Sequence, residues 1–392
     1  LFLRVVWCWS AARERDCSSS AISRSRRALE VEVQVVHEQQ EDPPSRIVGR
    51  PAGWQDDAFL RGTEYYWRSM KEANAQARQL WEKAIALDPQ YAEAYALLGW
   101  TYWVEWVFGN VDSQTMERAL ALAQQAVALD DSLPVAHSLL SIVYAQKQQY
   151  EQALAEGERA VALDPNYADS YTNQALVLNL AGQPEEALRA GEQAMRLNPR
   201  YPFTYLFELG FANRSTGRYA EAITTLKEAI SRDPNFIYAH LQLVGSYLSQ
   251  WVSQQSPAAQ TLEPAVAAAQ RALALNDSFH FNHLVVGYIY LYQRQYEGAL
   301  AEMERAVALA PNEAWSYAGL AMVLSYMGGT EDAMEAAAQA LRLKPFIPDA
   351  HLDSVGAAYA TAGRPEEAVA PLQRYVSRYP NILGAHLTLA AV

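Results

Sequence analysis

Cysteine is nearly absent from this sequence: only Cys8 and Cys17 occur among its 392 residues. This excludes both a disulfide framework and a cysteine-rich zinc module. Uncharged apolar runs of the roughly 18 residues that a membrane-spanning helix needs are also missing. Basic residues are few, with 31 Lys and Arg against 44 Asp and Glu. The resulting net charge of −13 argues against nucleic acid or an anionic membrane as the main partner, and we expect a soluble, cytoplasmic protein.

The common catalytic motifs are missing as well. The sequence has no Gly-x4-Gly-Lys-Ser/Thr or Gly-x-Gly-x2-Gly loop for phosphates and no Gly-x-Ser-x-Gly nucleophile elbow. The acid pairs Glu185-Glu186 and Glu366-Glu367 begin predicted helices, where the helix dipole favours negative charge. We therefore predict that the chain is not an enzyme and carries no cofactor.

What the sequence does contain is repetition. A short phrase of the type Ala-Leu-Asp-Pro recurs along the chain, at 86–89, 128–131, 162–165, 196–199, 231–234, 274–277, 308–311, 342–345 and 377–380. The intervals between successive phrases are 42, 34, 34 and 35 residues, then 43, 34, 34 and 35. A base period of 34 residues is the length of a helix–turn–helix unit.

The interior of one unit, residues 134–165, shows why the period predicts two packed helices. Ala153 and Ala160 are seven residues apart, so they share one face of the second helix, where small side chains let a neighbouring helix approach closely. Pro165 cannot continue the helix and ends the unit. Gly328-Gly329 in a later unit is interpreted as the turn between the two helices.

The pattern resembles the tetratricopeptide repeat, whose first helix carries Trp-x2-Leu-Gly-x2-Tyr and whose second helix carries spaced alanines before a final proline. Matching positions include Tyr95, Leu98, Gly99 and Tyr102, and they recur in register along 54–392. The resemblance implies an all-α, right-handed superhelix, an α-solenoid of about nine repeats and a partial tenth. It also implies a protein or peptide partner.

A second level of order is visible in the interval list. The segments 90–234 and 235–380 are predicted to be a tandem duplication of a four-repeat block, and 149–165 differs from 295–311 at only three of seventeen positions. In each block the first repeat is long, and we expect a projecting loop there, at Val104–Thr115 in the first block and Ser249–Thr261 in the second. Residues 1–53 have no repeat register and are predicted to be disordered or the remnant of a missing domain.

The histidines have two possible roles, metal binding or packing in the interior. His280 and His283 lie three residues apart, so one helix face could present two imidazoles to a metal. However, His137, His240, His283 and His386 occupy the same slot of the first helix, where the family usually has a packing aromatic. We therefore predict interior-facing rings and no metal site.

The aromatic residues are the best candidates for a binding site. In tetratricopeptide arrays the first helix lines a concave groove, and by that resemblance ten residues face it here: Trp100, Trp103, Trp106, Phe207, Phe211, Tyr288, Tyr292, Trp315, Met322 and Tyr326. Aromatic rings and methionine suit the burial of a partner's apolar side chains. The groove of other family members that grips a terminal carboxylate is not predicted, because the matching slots hold Ala96, Ser138, Thr172, Leu241 and Leu284. The sequence thus favours a non-catalytic interaction scaffold.

Two other functions stay open. The run 72–103 resembles the arrays that follow the catalytic domain of bacterial class III adenylate cyclases, so the chain could be the regulatory or assembly region of a signalling enzyme. A catalytic domain encoded in frame upstream of residue 1 would support this. The other is self-association through the incomplete repeat at 381–392, which we expect to leave an apolar helix face open.

Overall fold

The computed structural model describes residues 71–108, 113–253, 258–343 and 352–378, together with 386, 388–390 and 392. All of them belong to the unit Trp54–Val392. The predictions for residues 1–53 and for the first helix of the first repeat lie outside the described residues.

Every regular element in the described ranges is an α-helix, as the repeat pattern predicts. In chain order the helices are α1 Lys71–Leu87, α2 Ala92–Phe108, α3 Ser113–Leu129, α4 Pro134–Gln146, α5 Tyr150–Leu163, α6 Ala168–Ala181, α7 Pro184–Leu197, α8 Phe203–Ser215, α9 Tyr219–Arg232, α10 Ile237–Val252, α11 Ala258–Leu275, α12 His280–Tyr292, α13 Tyr296–Leu309, α14 Ala314–Met327, α15 Thr330–Leu343, α16 Leu352–Thr361 and α17 Pro365–Arg378. Among these helices none is both long and apolar enough to cross a bilayer.

The helices pack in consecutive pairs, α2 with α3 through to α16 with α17. The second helix of each pair contacts the first helix of the next pair, and first helices of neighbouring pairs also contact each other. This arrangement confirms the predicted α-solenoid, in which each unit buries its apolar surface against its neighbours.

A row of alanines forms the close-packed seam of the array. Eight of the nine second helices in the described ranges, all but α17, carry two alanines seven residues apart, nearly all with no exposed surface: Ala77 and Ala84, Ala119 and Ala126, Ala153 and Ala160, Ala187 and Ala194, Ala222 and Ala229, Ala265 and Ala272, Ala299 and Ala306, Ala333 and Ala340. Small side chains allow the helix axes to approach, so the seam confirms the packing role predicted for Ala153 and Ala160.

In the long first repeats, the extra residues do not form the projecting loops predicted from the sequence. Of the loop predicted at Val104–Thr115, residues 104–108 continue α2 and residues 113–115 begin α3. Of the loop predicted at Ser249–Thr261, residues 249–252 continue α10 and residues 258–261 begin α11. The prediction of a projecting loop is therefore wrong for these residues. Extending the helix satisfies the backbone groups of these residues, and the Trp106 side chain packs against a neighbouring apolar cluster.

Tight turns within pairs use the left-handed backbone region. Gly182, Gly217, Gly328 and Gly363 occupy it with φ between 70° and 80°, which confirms the turn predicted at Gly328-Gly329. In two repeats the turn instead holds a residue with a side chain, Gln148 at φ 61° or Arg294 at φ 60°. A side chain in this region costs roughly 1 kcal/mol relative to glycine.

We expect Gln148→Gly to stabilise the array, because glycine removes the strain of the left-handed conformation. The gain should be about 0.5–1 kcal/mol, reduced by the added freedom of the unfolded chain. Urea unfolding followed by circular dichroism measures it. The matched control is Gln125→Gly, an exposed position in the middle of α3, which should lose about 1 kcal/mol. Equal effects of the two substitutions on stability would contradict the backbone strain inferred at Gln148.

Candidate functional site

The first helices of successive pairs, α2, α4, α6, α8, α10, α12, α14 and α16, lie next to one another and form a continuous surface, here called the first-helix face. The ten predicted groove residues all lie on these helices. Trp100 and Met322 are buried, whereas Tyr326 is 61% exposed. The other seven are half-buried: Trp103, Trp106, Phe207, Phe211, Tyr288, Tyr292 and Trp315.

At the α2 end of the face, the predicted aromatic stripe is engaged in packing. The rings of Trp100 and Trp103 meet edge to face with their centroids 5.2 Å apart. The indole Nε1 of Trp100 donates to the carbonyl of Val135 on the next first helix at 3.4 Å. Trp103 and Trp106 pack against the same apolar cluster. These contacts join α2 to α4 and leave little of the Trp100 side chain accessible to a partner.

A chain of aromatic rings runs along the beginnings of four successive first helices. Its members, each within 4.8–6.1 Å of the next by centroid, are Phe203, Phe236, Tyr238, Phe279, Phe281 and Trp315, with Phe207 branching from Phe236. Only Phe207 and Trp315 were predicted. The sequence signal for the others is an aromatic at or next to the first residue of each first helix.

Residues far apart in the chain also meet on this face. The hydroxyl of Tyr238 in α10 donates a hydrogen bond to the carbonyl of Val107, 131 positions earlier in the extended end of α2. In α10 the ring of Trp251 packs on Tyr292 with a centroid distance of 5.2 Å. The two longest first helices, α2 and α10, thus each bring extra aromatic surface to the face.

Carboxyl groups also lie on the first-helix face. Their presence among its aromatic residues was not predicted from the sequence. Asp353 in α16 acts electrostatically on the hydroxyls of Tyr288, Tyr292 and Tyr326 from the two preceding first helices. Burial raises the pKa of Asp353 to about 6, although hydrogen bonds to its carboxyl oppose the shift. The backbone N–H of Ser354 donates to its Oδ1 at 2.7 Å. Burial, and then the Asp353 charge, raises the pKa of each of the three tyrosines.

A second acidic region lies nearer the beginning of the array. The hydroxyl of Tyr205 in α8 donates to Asp169 Oδ1 in α6 at 2.5 Å, and Tyr167 also donates to this carboxyl. Burial raises the pKa of Asp169, while the two tyrosine hydrogen bonds lower it. Burial likewise raises the pKa of Glu93 in α2, whose charge acts on Tyr167.

Glu208 is the most deeply buried acid on the face. It is 6% exposed, and burial raises its pKa to about 8 against the opposing effect of Asn179. The amide Nδ2 of Asn179 donates to Glu208 Oε2 and to the Glu208 carbonyl, both at 3.1 Å. This pair joins α6 to α8 through a polar contact inside the array.

Comparison with protein families decides the identity of the fold. Models described as "Tetratricopeptide repeat" match residues 111–168, 157–189, 203–236, 283–313 and 319–381, together more than half of the chain. The chain belongs to the tetratricopeptide repeat family. Among curated proteins, none matches this tetratricopeptide repeat chain significantly.

Solved structures with similar tetratricopeptide folds are distant in sequence. The human IFIT1 dimer with m7Gppp-AAAA is 16% identical over 91% of this chain and 87% of its own, with a TM-score of 0.56. A tetratricopeptide repeat protein of Parabacteroides merdae is 14% identical over 69% of this chain and 98% of its own, with a TM-score of 0.47. A Thermus thermophilus tetratricopeptide protein, TTC0263, is 22% identical over 48% and 98%, with a TM-score of 0.44.

Within the tetratricopeptide array, histidines form the same contact in two repeats. His137 Nδ1 lies 2.6 Å from Glu156 Oε2 and its Nε2 lies 2.9 Å from the Asp131 carbonyl. His283 Nδ1 lies 2.7 Å from Glu302 Oε2 and its Nε2 lies 2.7 Å from the Asp277 carbonyl. Each ring links the two helices of its pair.

The histidine packing prediction is confirmed for His137 and His240, both 5% exposed, and wrong for His386, whose side chain is exposed. Among the described residues no second helix follows His386 to pack on its ring, as α5 packs on that of His137. In the described part of the chain, no three His, Cys, Asp or Glu side chains are placed to hold a metal.

Proposed function

We propose that this protein is a non-catalytic interaction scaffold whose first-helix face binds a segment of a protein partner. The observation that carries the proposal is the set of aromatic side chains left accessible on this face, above all Tyr326 at 61% exposure. Large exposed rings supply most of the binding energy at many protein interfaces, because each buries much apolar surface at a small entropic cost.

The ring contacts support this proposal because they hold the face in shape before a partner arrives. Phe236 lies within 5.1 Å of Phe203 and Phe207, and Phe281 lies 5.4 Å from Trp315. A surface that is already ordered loses less side-chain freedom on binding, so more of the contact energy appears as affinity. Helical repeats provide such preorganised surfaces without any moving part.

The same face is a poor surface for nucleic acid. Glu93, Asp169 and Asp353 lie on its helices, and the whole chain carries a net charge of −13. Phosphate groups would be repelled, since nucleic-acid binding depends on neutralisation by Lys and Arg. The likeness to the RNA complex of human IFIT1 therefore extends to the fold alone.

We expect Tyr326→Ala to weaken partner binding about tenfold while leaving the fold intact, because its ring is exposed and adds little to packing. The measurement is the affinity of peptides selected by the wild-type protein from a random phage-displayed library. Leu87→Ala is the matched control, since Leu87 is 50% exposed but lies at the end of a second helix. Unchanged affinity for the Tyr326 variant would refute the assignment of this face.

The alternative, a regulatory or assembly region of a bacterial signalling enzyme such as an adenylate cyclase, stays a hypothesis supported by the resemblance of 72–103. It requires the same face to bind either the catalytic domain or a second copy of the chain. Reading the DNA upstream of residue 1 tests it, and a frame without a cyclase domain would remove its basis.

A further inference from the structure

The extra length of α2 places its last turn against a distant helix. α2 has 17 residues, whereas α4, α6, α8, α12 and α14 have 13 or 14. All of them begin three or four residues after the recurring phrase, so the additional residues of α2 lie at its end. Residues 104–108 are here called the α2 extension. Trp106 anchors this extension by packing on the apolar cluster between α2 and α4.

Tyr238, in the first turn of α10, holds the end of the α2 extension. Val107 is the last residue but one of α2, and the carbonyls of the last four residues of a helix have no partner within it. The Tyr238 hydroxyl donates a hydrogen bond to the Val107 carbonyl and so caps α2 from 131 positions away. Burial raises the pKa of this hydroxyl, which therefore remains a donor at ordinary pH.

This contact joins two helices that pack mainly on their own neighbours. α2 packs on α1, α3 and α4, and α10 packs on α8, α9, α11 and α12. A hydrogen bond such as this one contributes little net free energy, since water competes for the same groups. The contact between α2 and α10 can therefore open while both helices stay packed in their pairs. The α2 extension thus adds one movable element to a face that is otherwise preorganised.

The α2 extension lies against the middle of the ring chain on the first-helix face. The ring of Tyr238 lies between those of Phe236 and Phe279, with centroid distances of 6.1 Å and 5.6 Å. These rings belong to the surface that the scaffold proposal assigns to a partner. A segment that covers them meets Val107 at the hydroxyl of Tyr238.

We propose that the α2 extension is an autoinhibitory strap: it is held by Tyr238 on the first-helix face, and a partner segment that docks on the ring chain must displace it. This inference rests on the proposed scaffold function. Because segment and strap compete for the beginning of α10, the apparent affinity is reduced by the fraction of molecules whose strap is open. Removing the hydrogen bond should therefore raise the affinity about threefold to tenfold.

Tyr238→Phe tests the strap because it removes the hydroxyl and keeps the ring. The matched control is Tyr171→Phe, since the Tyr171 hydroxyl also donates to a backbone carbonyl, that of Pro165 at 3.2 Å, but within its own surroundings in the chain. Random twelve-residue peptides displayed on phage are selected on the wild-type protein. An enriched peptide that loses affinity with Phe281→Ala, a member of the ring chain, is labelled with fluorescein. Its affinity for wild type and both tyrosine variants is measured by anisotropy.

Hydrogen exchange measures the strap without any partner. Mass spectrometry follows the backbone amides of 104–108 in wild type and both tyrosine variants. We expect about threefold to tenfold faster exchange in Tyr238→Phe, because the last turn of α2 loses its cap, and no change in Tyr171→Phe. Saturating the wild type with the peptide should also accelerate the exchange of these amides, because the bound peptide displaces the strap.

The failing outcomes separate the two proposals. The strap is overturned if exchange of 104–108 is unchanged in Tyr238→Phe, if this variant binds the peptide no more tightly than Tyr171→Phe does, or if every enriched peptide is indifferent to Phe281→Ala. The scaffold function still stands in each of these cases. If no sequence is enriched on wild type over a variant with both Tyr326→Ala and Phe281→Ala, the scaffold function itself is overturned, and the autoinhibition with it.

Discussion

Replacing Glu208 by glutamine should remove a loss of stability that the wild-type protein suffers as the pH rises from about 5 to about 8. Burial raises the pKa of Glu208 to about 8 in the folded protein, against roughly 4.3 in an unfolded chain. Between these values the folded state holds a proton that the unfolded state has released. Its stabilising contribution is therefore complete at low pH and is lost as the pH approaches 8.

The expected slope is large. Each pH unit in this window costs up to about 1.4 kcal/mol, so the difference between variant and wild type should change by up to about 4 kcal/mol from pH 5 to pH 8. The glutamine side chain of the variant keeps an oxygen that can accept from Asn179, so the packing of α6 on α8 is preserved.

Urea unfolding of both proteins at pH 5, 6, 7 and 8, followed by circular dichroism, measures this difference. Glu192→Gln, an exposed acid on the second helix α7, controls for the loss of one carboxylate. Parallel stability curves for wild type and Glu208→Gln would show that Glu208 titrates alike in the folded and unfolded chains.

Gly210→Ala is the second substitution expected to have a large effect, with a loss of about 1–3 kcal/mol. A Cβ at this position would lie 2.6 Å from Leu226 Cγ and 2.7 Å from its Cδ2. Leu226 has no exposed surface, so it cannot move aside without disturbing the core of its helix pair. The helix propensity gained from alanine, about 1 kcal/mol, offsets only part of the strain.

Gly245→Ala is a control at a first-helix glycine that has space around it. A Cβ there meets the Arg214 side chain at 3.6 Å, an ordinary contact with a flexible group. We therefore expect this variant to be neutral or up to about 1 kcal/mol more stable. The urea midpoints of both variants are compared, and equal shifts would mean that the approach of Leu226 does not constrain residue 210.

The repeat features predicted from sequence depend on local constraints that recur in each unit. The alanine seam of Ala153 and Ala160 and the turn at Gly328 follow from helical spacing and from the conformational freedom of glycine. The interpretation of Val104–Thr115 as a loop failed because length alone cannot distinguish a loop from two longer helices. The helix is favoured because apolar side chains such as Trp106 pack on the cluster between α2 and α4.

The candidate site was predictable only in part. Position within the first helix predicted that Tyr288, Tyr292 and Tyr326 belong to one face, and the structure brings their hydroxyls within the influence of one charge. The acid that carries this charge, Asp353, was missed because a single acid in a first helix resembles any other solvated carboxylate. The burial of Trp100 was missed for a similar reason, since the stripe pattern does not show which neighbour covers it.

By itself the sequence determined the repeat length, the helix pairs, the alanine seam and the family, since each depends on contacts within a unit or with its neighbour. Only the tertiary structure decided that Tyr238 bonds to Val107 across 131 positions and that Asp353 lies among tyrosines of other repeats. The physical reason is that small rotations between successive units add up along the array. The sum of these rotations determines which distant side chains meet, and no single repeat encodes it.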